Sequence, residues 1–386
     1  MRRRIVISLL AATALAAALA LSCSDAPLEP LDPGWVVVAD FPHDAGPVVA
    51  ICASYPSVFA VSQGGLEDRR SAIWRYQCGE LKTEYKAPDE TITLADVDVP
   101  VEDVHFFAPG YAVGFKEEGE TTHPYVLRRP PEAEYWEKIP MTGFPAPALG
   151  AVYVTGEDTG WILSTSTWAY ERGKREAAGF LSKFDGTTVR SYAELGPVTF
   201  AWVPGETSPE ALYAVEYAGA HDNDYPAGTD PLVFISRDNG ASWVEERMPR
   251  YAVAGHEIRA ARAAATRNGE LYIIARLDGE RCYALIRRSG APGAGRYEPA
   301  FISYAGPYLL ELRAFAFKGD VSPYGITRDG VGVGDETTVV YDEGKYYVEK
   351  LPFPMNIYDV CPSDEAGFFA YAYDAALFYY RLLYHP

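Results

Sequence analysis

The feature that most constrains the fold is one strand signal that keeps returning along the chain. A β-rich run opens near an aromatic residue and closes near proline. It appears at Trp35–Pro42, Leu81–Pro88, Trp136–Pro140, Val189–Tyr192, Trp243–Pro249, Tyr297–Ile302 and Tyr347–Pro352, with starts 46 to 55 residues apart. Three further strand signals lie between consecutive runs. The second is the most regular: Val58–Val61, Gly110–Gly114, Gly160–Leu163, Leu212–Val215, Leu271–Ile274, Tyr324–Ile326 and Gly367–Tyr371. Third strands follow, as at Ala72–Tyr76, Tyr125–Leu127, Tyr283–Ile286 and Thr338–Tyr341. Four strands per unit, repeated radially, predict an all-β fold: a seven-bladed β-propeller, with six or eight blades as the alternatives. The last unit ends after three strands, and Trp35–Pro42 is predicted to supply its fourth, so that no free sheet edge remains. The propeller then occupies residues 35–386 as a single domain.

Composition agrees with strands and turns: 28 Tyr, 34 Gly and 29 Pro stand against 4 Met. Residues 1–22 carry Arg2, Arg3 and Arg4 before an apolar run from Ile5 to Leu21, the pattern of an export signal. The segment ends Leu19-Ala-Leu-Ser-Cys23 and resembles a bacterial lipoprotein signal. That resemblance implies lipidation of Cys23, a tether over 23–34, and anchoring to the cell envelope. With Ser24 rather than Asp25 next to the cysteine, it implies the outer membrane. Ala20 stands where the usual pattern has Leu, so ordinary secretion is one alternative; a simple transmembrane anchor is another, although the apolar run falls short of the ~20 residues a span needs. The formal net charge of −19 disfavours nucleic acid and anionic lipid surfaces as partners.

Four more cysteines follow, Cys52, Cys78, Cys282 and Cys361, none with C-x-x-C spacing. Export permits disulfides. Cys52 and Cys361 fall at equivalent places in the first and last units. A clasp between them competes with thiols too far apart to bond. Cys78 and Cys282 fall in units too distant to pair.

The stretch Ser236-x-Asp238-x-Gly240-x-x-Trp243 is a hairpin turn in which Asp238 bonds backbone amides and Gly240 supplies a positive φ. It matches the Asp-box, or BNR repeat, and resembles that of sialidases and of many non-enzymatic propellers. The pattern decays elsewhere, as at Asp342–Tyr347, Ser182–Val189 and Arg129–Trp136. Asp103–Gly114 and Ala151–Ile162 are similar to the repeat of the photosystem II assembly and stability factor family. Both likenesses concern architecture, and fold analogy is a weak guide to activity.

Binding is expected on the face that carries the long connections between second and third strands. These are predicted at Gln63–Ser71 with Glu67, Asp68 and Arg69, at Lys116–Pro124 with Glu117, and at Ser164–Gly179 with Trp168, Tyr170 and Arg172. Two more are Ala218–Pro231, with His221, Asp222, Asp224 and Asp230, and Arg328–Thr337, with Asp329 and Asp335. Asp222, Asp224 and Asp230 are candidate Ca2+ ligands, against a plain acidic loop, since the EF-hand glycine and closing glutamate are missing. No other cofactor is expected. Gly330–Gly334 lacks a following helix and is predicted to be a flexible loop.

Sialidase chemistry would need an arginine triad, a tyrosine with a glutamate partner and an acidic donor. Arg259, Arg262 and Arg313 lie near first strands, and Glu102, Asp103 and His105 are assigned to the first strand of the second unit. The Phe/Tyr-Arg-Ile-Pro motif of sialidases is missing, as are Gly-x-Ser-x-Gly and His-Glu-x-x-His. The expected function is therefore an envelope-anchored, non-catalytic binding or scaffolding protein with a protein or glycan partner. A divergent sialidase-like glycoside hydrolase is the alternative.

Overall fold

The computed structural model describes residues 34–385, apart from 100–108, 166–178, 205–211, 218–228, 304–311, 318–329, 351–354 and gaps of one to three residues. Among the described residues, seven four-stranded antiparallel sheets follow one another as an all-β propeller. After β1 (Val36–Asp40), the first sheet runs β2 (Val48–Ser54), β3 (Ser57–Ser62), β4 (Ala72–Gln77) and β5 (Glu80–Lys86). The second is β6 (Ile92–Asp98), β7 (Gly110–Glu118), β8 (Thr121–Arg129) and β9 (Glu137–Lys138). The third is β10 (Ala148–Gly156), β11 (Thr159–Thr165), β12 (Gly179–Asp185) and β13 (Thr188–Glu194). The fourth is β14 (Thr199–Pro204), β15 (Leu212–Tyr217), β16 (Leu232–Ser236) and β17 (Val244–Arg247). The fifth is β18 (Ile258–Arg267), β19 (Glu270–Leu277), β20 (Tyr283–Ser289) and β21 (Arg296–Ser303). The sixth is β22 (Leu312–Phe317), β23 (Gly330–Gly334), β24 (Thr337–Asp342) and β25 (Lys345–Lys350), described, like β14, by backbone alone. The seventh joins β26 (Met355–Ser363), β27 (Gly367–Asp374) and β28 (Tyr379–His385) to β1.

The expected closure is present: Val36 pairs with Tyr384 and Asp40 with Arg381. Trp35, just before β1, is buried against the imidazole of His385. First strands pack side by side, β26 on β2, β2 on β6, β6 on β10, and β14 through β18 to β22 and back to β26. An apolar cluster with Trp161, Leu181, Leu212 and Phe234 joins the third sheet to the fourth. Second strands are sandwiched between neighbouring sheets, so β3 is buried along its whole length, whereas outer strands such as β5 are largely exposed.

Outer strands also carry two buried ion pairs of one design. Glu84 of β5 accepts from Arg129 Nε (3.2 Å) and Trp136 Nε1 (2.9 Å) of the second sheet. Glu246 of β17 accepts from Arg288 Nη2 (2.6 Å) and Tyr297 Oη (2.9 Å) of the fifth sheet. In both, a glutamate reaches across a sheet-to-sheet seam to an arginine on the next third strand.

Three sequence expectations are corrected here. The second strand of the sixth sheet is Gly330–Gly334, not Tyr324–Ile326, which lies outside the described residues. Pairing on both sides, with β22 and β24, makes a strand of a glycine-rich run. Residues 318–329, including Asp329, therefore join first to second strand, and only 335–336, including Asp335, join second to third. Lys116–Pro124 is not a long loop: β7 and β8 continue through it, with Glu117 paired to Thr122, and turn at Gly119 and Glu120. An exposed hairpin end tolerates the charges, and Gly119 at φ 66° makes the turn. The first strand of the second sheet is Ile92–Asp98, so Glu102, Asp103 and His105 follow it, outside the described residues.

Candidate functional site

Strands alternate direction, so second-to-third and sheet-to-sheet connections share one end of the ring, and the remaining turns share the other. On the connection face, three segments form a continuous surface. Gly64 N donates to Ala45 O (3.1 Å) and Gly65 N to Asp44 O (3.0 Å), tying the β3–β4 connection to the β1–β2 connection. A Cβ on Gly46 would stand 1.9 Å from Gly64 O, so only glycine permits this approach. His43 in turn packs edge-on against Tyr379 at 4.9 Å, bringing in the β27–β28 turn.

That surface exposes Leu66 at 95%, Phe378 at 73% and Leu377 at 46%. The turn that presents them is held firmly. Asp374 Oδ1 accepts from Ala376 N (2.9 Å) and Leu377 N (3.1 Å), and Phe378 N donates to Asp374 O (2.8 Å). Arg381 fixes Asp374 from behind at 3.4 Å and Asp40 at 3.1 Å. Phe378 sits at φ 60°, a conformation uncommon for a bulky residue.

Of the residues expected on this face, Glu67 and Arg69 are exposed on the β3–β4 connection. Asp68 instead clamps that connection, binding Arg70 through Nε and Nη2 (both 2.8 Å) and pairing with Lys86. The hydrogen bonds from Arg70, and then Lys86, hold its carboxyl well below the usual range. Trp168, Tyr170, Arg172, His221, Asp222, Asp224 and Asp329 lie outside the described residues. Asp230 caps the β17–β18 connection, accepting from Arg250 N at 3.1 Å. Among the described residues no cluster of His, Cys, Asp or Glu is placed to hold a metal ion. Cys23 also falls outside them.

On the other side, Ser236, Asp238 and Gly240 act within one turn. Ser236 Oγ donates to Asp238 Oδ1 (2.8 Å) and accepts from Gly240 N (2.8 Å), while Asp238 Oδ1 also accepts from Ser242 N (2.8 Å). Hydrogen bonds from the Ser242 side chain and amide, then from Ser236, hold Asp238 down to about 2. Trp243 is half-buried rather than a core anchor.

The ring axis carries a group the sequence reading missed. Every described first strand except β14 shifts register against its partner, and pairing resumes at Ala50, Asp96, Ala151, Ala260, Ala314 and Asp359. Two residues on, Cys52, Asp98 and Cys361 share a level on adjacent strands β2, β6 and β26. Asp96, Asp98 and Cys52 each reach to the next sheet in one rotational sense. Asp96 Oδ2 accepts from Val152 N (2.9 Å) and Asp98 Oδ2 from Val154 N (2.6 Å), while Cys52 Sγ accepts from Val99 N (3.4 Å). They thus satisfy edge amides that inner strands leave unpaired. The visible signal is the repeated Asp96-Val-Asp98 and Asp359-Val-Cys361 at one place in the repeat.

Cys52 Sγ donates to Asp98 Oδ1 (3.3 Å), and all four described cysteines are free thiols, so the Cys52–Cys361 clasp is not formed. A polar cleft of roughly 380 Å³ beside Arg75, Cys78 and Lys82 is internally neutralised, with Arg75 on Glu84 (2.6 Å) and Lys82 on Glu80 (2.8 Å). Of the three arginines considered for a carboxylate site, Arg259 is paired with Glu257 at 2.8 Å. The side chains of Arg262 and Arg313 are not among those described.

No family model matches the chain, and no curated protein does. Solved structures do. YCF48 from Cyanidioschyzon merolae superposes with a TM-score of 0.57 at 12% identity, over 91% of this chain and 98% of that one. YCF48 bound to D1 peptide gives 0.56 at 10%, over 94% and 99%. A puromycin hydrolase gives 0.55 at 14%, over 89% of this chain but only 56% of that one. At these identities the likeness is one of fold.

Proposed function

We propose that the chain is a seven-bladed propeller, one blade per sheet, that works as a non-catalytic binding or scaffolding protein through its connection face. The observation that carries this reading is the turn Asp374–Tyr379, which holds Leu377 and Phe378 outward beside Leu66. Apolar side chains displayed by a rigid turn contribute binding energy with little ordering cost. The partner element is an extended or helical protein segment with apolar side chains. A propeller of this fold is described bound to a peptide, which supports a peptide-like partner.

The same reading includes export and a lipid anchor at Cys23. β1 starts at the turn end of the ring and finishes at the connection end, so a tether over residues 23–34 leaves from the face opposite Phe378. An anchored molecule would then turn its binding face away from the membrane.

The test is crosslinking of the full chain in its native envelope, with Phe378→Ser and Leu66→Ser compared against wild type. Both side chains are exposed, so neither change should lower the melting temperature. A partner captured by wild type and lost from both variants is expected. A partner retained equally by all three would overturn the assignment of this face.

A further inference from the structure

The polar cleft beside Arg75 opens on the turn side of the ring, where the first and second sheets meet. Arg75, Gln77 and Thr83 line it, Cys78 is exposed at its rim, and Glu134 reaches it from the β8–β9 connection. Its charge balance differs from that of the matching seam. Across the fourth and fifth sheets one glutamate meets one arginine: Glu246 accepts from Arg288, and Tyr297 Oη and Gly293 N complete its described bonds. Here the buried Glu84 serves two. Arg75 Nη1 donates to Glu84 Oε1 (2.6 Å), and Arg129 Nε donates to Glu84 Oε2 (3.2 Å). One carboxylate therefore faces two guanidiniums, and one positive charge is left over at the floor of the cleft. Lys82 leaves that sum unchanged, since Glu80 pairs with it at 2.8 Å.

The leftover charge is met by Glu134. Its carboxylate stands 3.5 Å from Arg75 Nη2, with no hydrogen bond between them among the described contacts, and its side chain is 81% exposed. The Arg75 side chain is 15% exposed and is held by Glu84 and by Gln77 Oε1. The cation is fixed and its counter-ion is loose. An exposed anion of this kind holds weakly, whereas a carboxylate seated in the cleft forms charge-assisted bonds with a guanidinium already in position. The volume, roughly 380 Å³, is at the small end of ligand clefts and suits a dipeptide. Gln77 and Thr83 offer amide and hydroxyl groups to a neighbouring peptide unit. A single leftover charge matches one carboxylate better than a divalent anion.

We propose that this cleft binds a short peptide bearing one carboxylate, which takes the place of Glu134 on Arg75. The site lies at the end of the ring opposite Leu66 and Phe378, so it stands or falls independently of the connection face.

The experiment follows iodoacetamide labelling of Cys78 in the full chain, with N-acetylglycylglycine as the probe. The reagent is uncharged and does not compete for Arg75. The probe should slow labelling several-fold and saturably, while its C-terminal amide should leave the rate unchanged. Glu134→Gln removes the competing charge from an exposed position and should lower the half-protecting concentration about threefold, the weight of an exposed ion pair. Arg75→Gln should abolish protection. Should Arg75→Gln fail to fold, Glu134→Gln decides: a half-protecting concentration no lower than that of wild type would overturn the site. So would protection by the amide, equal protection by inorganic phosphate, protection retained in Arg75→Gln, or none in wild type and Glu134→Gln.

Discussion

A Cβ placed on Gly240 would stand 2.1 Å from Cη2 of Trp161. The hairpin turn of the fourth sheet thus rests on the indole of the third, and Trp161 is 1% exposed there. Glycine is required twice, for this approach and for φ +80°. Gly240→Ala should cost about 2–4 kcal/mol, combining overpacking with left-handed strain. Trp161→Ala should cost about 3–5 kcal/mol, and Trp243→Ala, with its half-buried ring, less. Urea denaturation measures each. Combining Gly240→Ala with Trp161→Leu should cost less than the sum, and strict additivity would refute the contact's role.

The seam between the fourth and fifth sheets depends on Glu246 and Arg288, whose side chains are 5% and 1% exposed. Glu246→Ala strands a buried guanidinium and should cost about 3–5 kcal/mol. Replacing both residues with methionine should recover most of that loss. If the single change proved harmless in a denaturation curve, the pair would be decoration.

Acid should loosen the turn around Asp238 before it unfolds the ring. Its carboxyl is held down to about 2, so the contribution is complete above its ordinary 3.8 and fades as pH falls through 2. Fluorescence of the nearby Trp243 should shift over that interval, and Asp238→Asn should abolish the shift.

Thiol labelling should separate the cysteines. Burial, then the Asp98 charge, pushes the Cys52 thiol well up, and burial raises Cys282. Cys78 is exposed on a hairpin turn. At pH 8 an aromatic disulfide reagent should modify Cys78 at least a hundredfold faster than Cys52 or Cys282. Comparable rates in the native protein would contradict the packing around Cys52.

The architecture was legible because burial on both faces leaves a strong mark. Runs such as Val58–Val61 and Leu271–Ile274 are apolar throughout, and both are second strands. The outer runs from Trp35 to Tyr347 were found by their ends instead, an aromatic residue at the start and proline near the close. Gly330–Gly334 escaped because its partners, not its side chains, make it a strand. Asp96 and Asp359 escaped because acids in a first strand look like surface residues until a ring closes around them. Lys116–Glu118 misled because charge density marks exposure, which a hairpin end shares with a loop.

The pairing of Val36–Asp40 with Tyr379–His385 shapes how the chain must fold. Among the described strands β1 pairs with β28, so it stays without a strand partner while β2 to β27 are made. Such distant contacts slow folding and lengthen exposure of sticky intermediates. A growing chain therefore carries Trp35 uncovered until β26 to β28 arrive with Met355, Phe368 and Leu383, and during that wait a holding chaperone would find its target.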